Sequence, residues 1–282
     1  MIPFDFEYYR PASIASAIDT FQQLDAAGKQ PLYYGGGTEI ISMGRMNNLK
    51  TGPVIDLKDL ADCKVMEFQQ DQLVIGSSVT LTQIHEANLF PLLAQAGARI
   101  ADHTIQNKIT LGGNLCGTII YKEAVLPLLL SDSLVSIAGP GGERTIPINS
   151  IFKERMQLDK GEFVVQIKTD KKYLSYPYVH VKQTKQDKIN YPLVTICAMS
   201  IGGGIRAAFS GVCDFPFRST AMESELNNHA LTLEERIDKA IVLTPGPIPT
   251  NLEGSAEYRK FIMKGLLNSI INRLEGSNVS NA

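Results

Sequence analysis

Two short glycine clusters, Gly35-Gly36-Gly37-Thr38-Glu39-Ile40 and Thr110-Leu111-Gly112-Gly113-Asn114, constrain this chain more than anything else in it. Each falls where a strand-like run gives out and backbone must lie open. Glycine reaches positive φ and has no Cβ, so successive N–H groups can converge on an anion at contact distance. Thr38 and Asn114 add side-chain donors and acceptors. A lone glycine triplet reads as an ordinary turn. The pair points instead to a cradle, split between two loops, for the pyrophosphate of a nucleotide.

The flanking patterns place these clusters on secondary structure. After Pro11 and a capping Ser13, Ile14, Ala17, Ile18, Phe21 and Leu24 recur at three- and four-residue steps, which predicts a helix over residues 13–27. Pro31-Leu32-Tyr33-Tyr34 is a short apolar strand running into the first cluster. Further strands are predicted at 54–57, 73–76, 133–138, 145–148 and 163–167, with helices at 82–88 and 89–101. The charge run Lys168-Thr169-Asp170-Lys171-Lys172 reads as a solvated boundary. Beyond it, residues 194–201 and 205–212 flank Gly202-Gly203-Gly204 as a hairpin, and residues 231–243 and 256–274 read as helices.

Length and composition bound the rest. At 282 residues the chain is long enough for two packed units around separate cores. With 27 basic against 29 acidic residues and no basic block, it lacks the charge to track nucleic acid. Its longest apolar runs, such as Ala124-Val125-Leu126-Pro127-Leu128-Leu129-Leu130, fall far short of the roughly 20 residues of a membrane span. The opening Met1-Ile2-Pro3-Phe4-Asp5 has neither a basic nor an apolar signal region, so a cytoplasmic location is expected. Cys63, Cys116, Cys197 and Cys213 are scattered, as are His85, His103, His180 and His229. No close thiolate spacing for an iron–sulfur cluster and no metal-ligand set is visible. Nor does a Ser-His-Asp or Cys-His arrangement suggest hydrolysis, so no catalytic residue is assigned.

The first cluster with its flanks Leu32-Tyr33-Tyr34 and Ile41-Ser42-Met43, the Thr-Leu-Gly-Gly-Asn segment, the opening Phe6-Glu7-Tyr8-Tyr9-Arg10-Pro11 and the closing Gly254-Ser255-Ala256-Glu257-Tyr258-Arg259 together resemble the FAD-binding medium subunit of molybdenum hydroxylases. That family includes xanthine dehydrogenases and carbon monoxide dehydrogenase, and the similarity covers nearly the whole chain. It is nearest to small stand-alone flavin subunits of xanthine dehydrogenase type. The resemblance implies an α+β fold: a two-subdomain FAD-binding domain of the vanillyl-alcohol oxidase/PCMH type over residues 1–170. A C-terminal domain over residues 171–282, a three-stranded antiparallel sheet packed on helices, should follow.

The resemblance also implies a cofactor, FAD, with its diphosphate against the backbone N–H groups of Gly35 to Ile40 and of Leu111 to Asn114. Tyr34 leads into that site and Thr110 opens its second half. Glu39 would hold the cofactor loop or a ribityl hydroxyl, its alternative being an exposed acid at a helix start. Glu123, nine residues past Asn114, occupies the spacing of an acid that borders the cofactor, although the segment before it departs from the family pattern. A helix N-terminal acid explains it almost as well. Lys182 matches a basic position that contacts flavin and Tyr191 a position near its reactive face. A solvated strand lysine and a core aromatic are the respective rivals. The implied partners are a molybdopterin-binding large subunit and a [2Fe-2S] small subunit, with electrons passing to NAD or another acceptor. A flavin-free scaffold or maturation protein of the same fold and a stand-alone flavin reductase are the alternatives.

Overall fold

A computed structural model describes residues 2–186 and 190–279. The chain divides into two compact units, one made of Met1–Ala87, His103–Gly117 and Ser133–Asp170, the other of Asn88–Asp102, Thr118–Asp132 and Lys171–Ala282. A single cut after residue 170 therefore omits two excursions that pack with the C-terminal unit. The reason lies in their helices, Pro91–Gly97 and Val125–Leu130. All six residues of the second are buried, and a short helix that is apolar all round needs cover on every face. It finds that cover against Pro91–Gly97 and the C-terminal sheet.

The first unit holds two sheets of three or more strands, besides the short antiparallel pair Phe152–Lys153 and Arg155–Met156. Tyr8–Tyr9, Val54–Asp56 and Leu32–Tyr34 form a three-stranded parallel sheet with Val54–Asp56 in the centre. The other sheet is antiparallel, in the order Met66–Gln69, Gln72–Gly76, Phe163–Asp170, Leu134–Gly139, Gly142–Pro147. Helix Ile14–Ala26 starts from a reciprocal Ser13/Ser16 capping box and buries Ala17, Phe21 and Leu24. These join Ile55, Leu57, Phe163 and Val165 in one core.

Two local expectations change. The charge run at 168–172 does hold the division between the units, after Asp170, but Lys168 and Asp170 are strand residues rather than loop, paired with Leu134 and Gln72. The alternating strand lets their side chains leave the core face while Val165, Ile167 and Thr169 stay buried. The helix expected over 89–101 is only Pro91–Gly97, because Asn88 takes φ +48° and Pro91 occupies a first-turn position.

The C-terminal unit is built on an antiparallel sheet in the order Tyr178–Thr184, Pro192–Ile201, Gly204–Ser210, Phe217–Arg218. It has four strands where three were expected. The extra one is two residues long and pairs Phe217 with Phe209 and Arg218 with Ala208, too short to leave a periodic signal. Pro192–Ile201 is buried at every position but its last, the pattern of a strand covered on both faces. Gly202 and Gly203 turn the hairpin at φ +59° and +81°. Helices Thr220–Leu226, Leu233–Val242 and Ala256–Val279 contribute Met222, Leu226, Ile237, Met263, Leu267, Ile270 and Leu274 to the core against Ile196, Ala198 and Phe209. No helix among the described residues is long and apolar enough to cross a membrane.

Candidate functional site

The first glycine cluster connects the Leu32–Tyr34 strand to the Thr38–Arg45 helix. Gly37 is the helix N-cap at φ +71°, and no side chain caps this end. A Cβ at Gly37 would lie 2.0 Å from Tyr34 Oη, so Tyr34 packs into the space that only glycine leaves. Among the described residues the N–H groups of Gly36, Gly37 and Thr38 meet no protein acceptor. Thr38, Glu39 and Ile40 form the first turn, whose N–H groups point out of the helix end. Open amides at an uncapped helix N-terminus are chemistry suited to an anionic oxygen.

The second cluster differs in that its backbone amides find acceptors within the protein. Leu111 N–H donates to Val79 O at 2.9 Å and Gly112 N–H to Ser77 O at 2.8 Å. Gly113 N–H donates to Thr110 Oγ1 at 3.2 Å and Asn114 N–H to Thr110 O at 2.9 Å. Thr110 is thus the N-cap of the Leu111–Cys116 helix, and all four amides are already spent within the protein. The glycines have a packing reason instead. A Cβ at Gly112 would meet Ser77 Cβ at 2.6 Å, one at Gly36 the Lys108 carbonyl oxygen at 1.5 Å, and one at Gly35 Thr110 Oγ1 at 2.7 Å. The two clusters are pressed together, with the second buttressing the first. Glu39 completes the join, since a Cβ on Gly117, just past the second helix, would lie 2.4 Å from Glu39 Oε2. Asn114 is buried beside them.

Sequence reasoning missed one contributor to the first loop. Lys58 Nζ lies 3.1 Å from Gly35 O and 2.6 Å from Asp56 Oδ2, and 4.5 Å from the centre of the Tyr34 ring. Asp56 is buried and also accepts from the Lys58 N–H at 2.9 Å and from the Tyr8 hydroxyl. That hydroxyl's bond to the carboxylate, reinforced by burial, pushes the Tyr8 pKa up to about 12. An acid and a lysine two positions apart at a strand end were the available signal. Only the parallel pairing of Tyr34 with Asp56 shows that they face the glycine loop.

In the C-terminal unit, Glu123 and Lys182 come together although they lie far apart in sequence. Lys182 Nζ donates to Glu123 Oε2 at 2.8 Å and to Arg99 O at 2.8 Å, and Thr195 Oγ1 donates to Glu123 Oε1 at 2.6 Å. Their side chains are 2% and 4% exposed, so neither is a solvated surface group. Burial pushes the Glu123 carboxyl above its ordinary range, with Lys182 and Thr195 opposing. His180, on the same strand face as Lys182, has a buried Nε2 without a partner. Burial first, then Arg99 and Lys182, lowers its pKa to about 4. Tyr191 is no core aromatic. It is 52% exposed and stacks on Tyr121 with ring centres 4.7 Å apart. Among the described residues no group of three or more His, Cys, Asp or Glu side chains could hold a metal ion.

The fold is α+β, and its open helix-end loop offers backbone donors to an anionic group. Residues 4–169 match the family described as the FAD binding domain in molybdopterin dehydrogenase, and the chain belongs to that family. It is similar to the carbon monoxide dehydrogenase medium chain of Hydrogenophaga pseudoflava, 25% identical over 287 residues that cover 96% of this chain and 98% of that one. It is also similar to caffeine dehydrogenase subunit beta of Pseudomonas sp. (strain CBB1), 22% identical over 71% of this chain and 75% of the relative. In structure it resembles a chain of reconstituted CO dehydrogenase from Oligotropha carboxidovorans, with a TM-score of 0.84, 22% identity and coverage of 98% and 99%. The chain is therefore a FAD subunit of the molybdenum hydroxylase class. The first loop could hold that cofactor: the N–H groups of Gly36, Gly37 and Thr38 are open and no side chain caps the helix end.

Proposed function

We propose that this chain is the flavin subunit of a xanthine dehydrogenase-type complex. It would take electrons from a molybdopterin-binding large subunit by way of a [2Fe-2S] small subunit and pass them to NAD or another acceptor. The observation that carries the reading is the row of open amides from Gly36 to Thr38 at the uncapped helix. FAD, when bound, supplies the exchange of electrons, and the protein supplies placement and access. Gly35, Gly36, Gly37, Thr38, Glu39 and Ile40 would hold the diphosphate, chiefly through backbone, with Tyr34 packed beneath Gly37. Thr110, Leu111, Gly112, Gly113 and Asn114 act through that loop by supporting it, since their amides are used internally. In the C-terminal unit, Tyr191 offers an exposed ring while Glu123 and Lys182 serve as a buried pair.

The names of the relatives support a place in a larger enzyme, as a medium chain in one case and a subunit beta in the other. Caffeine is a purine, which favours a purine such as xanthine as the substrate of the whole complex. The test is the visible spectrum of the purified chain, followed by release and identification of any flavin. Stoichiometric FAD supports the reading. A colourless protein that takes up no added FAD, alone or with its partner subunits, overturns it. Xanthine oxidation by the reconstituted complex tests the finer assignment, and activity on a non-purine alone would sink it.

A further inference from the structure

We propose that Lys58 is the positioning residue of the Gly35–Ile40 loop, fixing the Gly35–Gly36 peptide in the one orientation that turns the Gly36 N–H toward the diphosphate. This rests on the reading that the loop takes that diphosphate.

The argument starts from the peptide plane. In a trans peptide the C=O and the following N–H point in opposite directions. The Gly35 carbonyl accepts from Lys58 Nζ at 3.1 Å, so the Gly36 N–H is directed away from Lys58, to the loop's other face. One peptide earlier, the Tyr34 carbonyl accepts from Leu57 N–H at 3.0 Å. Residues 57 and 58 thus hold two consecutive carbonyls of the loop. Without such a tether, a peptide between two glycines turns over easily, because neither residue has a Cβ to forbid the alternative φ and ψ.

Lys58 is itself held from several sides. Its ammonium touches the Asp56 carboxylate at 2.6 Å and lies over the Tyr34 ring. Asp56, with a side chain only 3% exposed, is anchored by the Tyr8 hydroxyl and the Lys58 N–H. A flexible lysine is thereby confined to one place, and its charge lies behind the loop amides. The side chain of Lys58 remains 42% exposed, so this is not a lysine placed only to neutralise a buried acid.

The experiment measures FAD binding to the full chain by flavin fluorescence and ADP binding by competition, with melting curves alongside. Lys58→Met should weaken FAD and ADP alike by about tenfold, the loss of one charge-assisted hydrogen bond's worth of organisation. Lys58→Arg, which keeps charge and donors, should restore most of it. Should the Met variant fail to fold, Lys58→Gln, still able to donate to Asp56, carries the same expectation. ADP carries the adenosine diphosphate of FAD and lacks the flavin half, so equal weakening of FAD and ADP at an unchanged melting temperature is a readout that a merely structural role would not move. Wild-type affinity in folded Met or Gln variants overturns the role of Lys58 alone. Failure of the wild-type chain to bind FAD or ADP overturns the reading of the loop and this inference with it.

Discussion

The Cα of Gly36 lies so close to the Lys108 carbonyl that a Cβ on it would fall 1.5 Å from the oxygen. Two glycine clusters that look in sequence like two halves of one ligand cradle are thus in contact with each other. Only the first keeps its amides open. Gly36→Ala should force the loops apart, lowering FAD affinity and costing about 1–3 kcal/mol of stability, as overpacking does. Flavin titration together with denaturant melts would check both. An Ala variant that binds and melts like the wild type would contradict the contact.

Thr110 caps the Leu111–Cys116 helix. Thr110→Ala removes the acceptor of the Gly113 N–H and should cost about 1 kcal/mol. FAD affinity should fall less than in Gly36→Ala. Comparing the two variants by urea melts and flavin titration separates buttress from cradle, and a larger FAD loss in the Thr110 variant would restore the second cluster to the site.

The Glu123–Lys182 pair is buried at both ends. Removing one partner leaves an uncompensated charge, so Lys182→Met should destabilise the fold by about 3–5 kcal/mol. The double variant Glu123→Leu/Lys182→Met should be less destabilised than either single change. A double-mutant cycle measures this coupling, and additive losses would show that the two side chains act independently.

His180 sets a pH dependence. Its pKa falls to about 4 in the fold, chiefly by burial, with Arg99 and Lys182 adding repulsion, against about 6.5 in the unfolded chain. The unfolded state therefore binds the proton first. The contribution of His180 is complete above about pH 6.5 and is lost progressively as pH falls toward 4. Stability measured across that window should slope upward with pH, and His180→Gln should flatten the slope by up to one proton. An unchanged slope would place His180 outside the titration.

Arg259 is 1% exposed and ties three segments together. Its Nη1 donates to Leu193 O at 2.6 Å and Gly211 O at 2.8 Å, while Nη2 donates to Asn251 Oδ1 at 2.7 Å. A lysine carries the charge but not the planar fork. Arg259→Lys should cost about 2–3 kcal/mol through unpaired buried carbonyls, measured by chemical denaturation. Wild-type stability in this variant would show that the fork is dispensable.

Sequence alone determined the elements whose signals are local. Apolar periodicity marked the helix from Ile14, and the glycines at 202 and 203 marked the hairpin they turn. The Gly35–Ile40 motif announced a loop at a strand end before any neighbour was known. Tertiary structure alone decided which N–H groups stay open, because that depends on acceptors such as Ser77 O and Val79 O, distant in the chain from the second cluster. It also decided that residues 88–102 and 118–132 pack with the C-terminal unit, since a helix apolar on every face declares that it must be buried but not where. The partners of Lys58 and Lys182 belong to the same category. A charge shows its sign in sequence, whereas its role is set by the carbonyls and carboxylates that folding brings within hydrogen-bond reach.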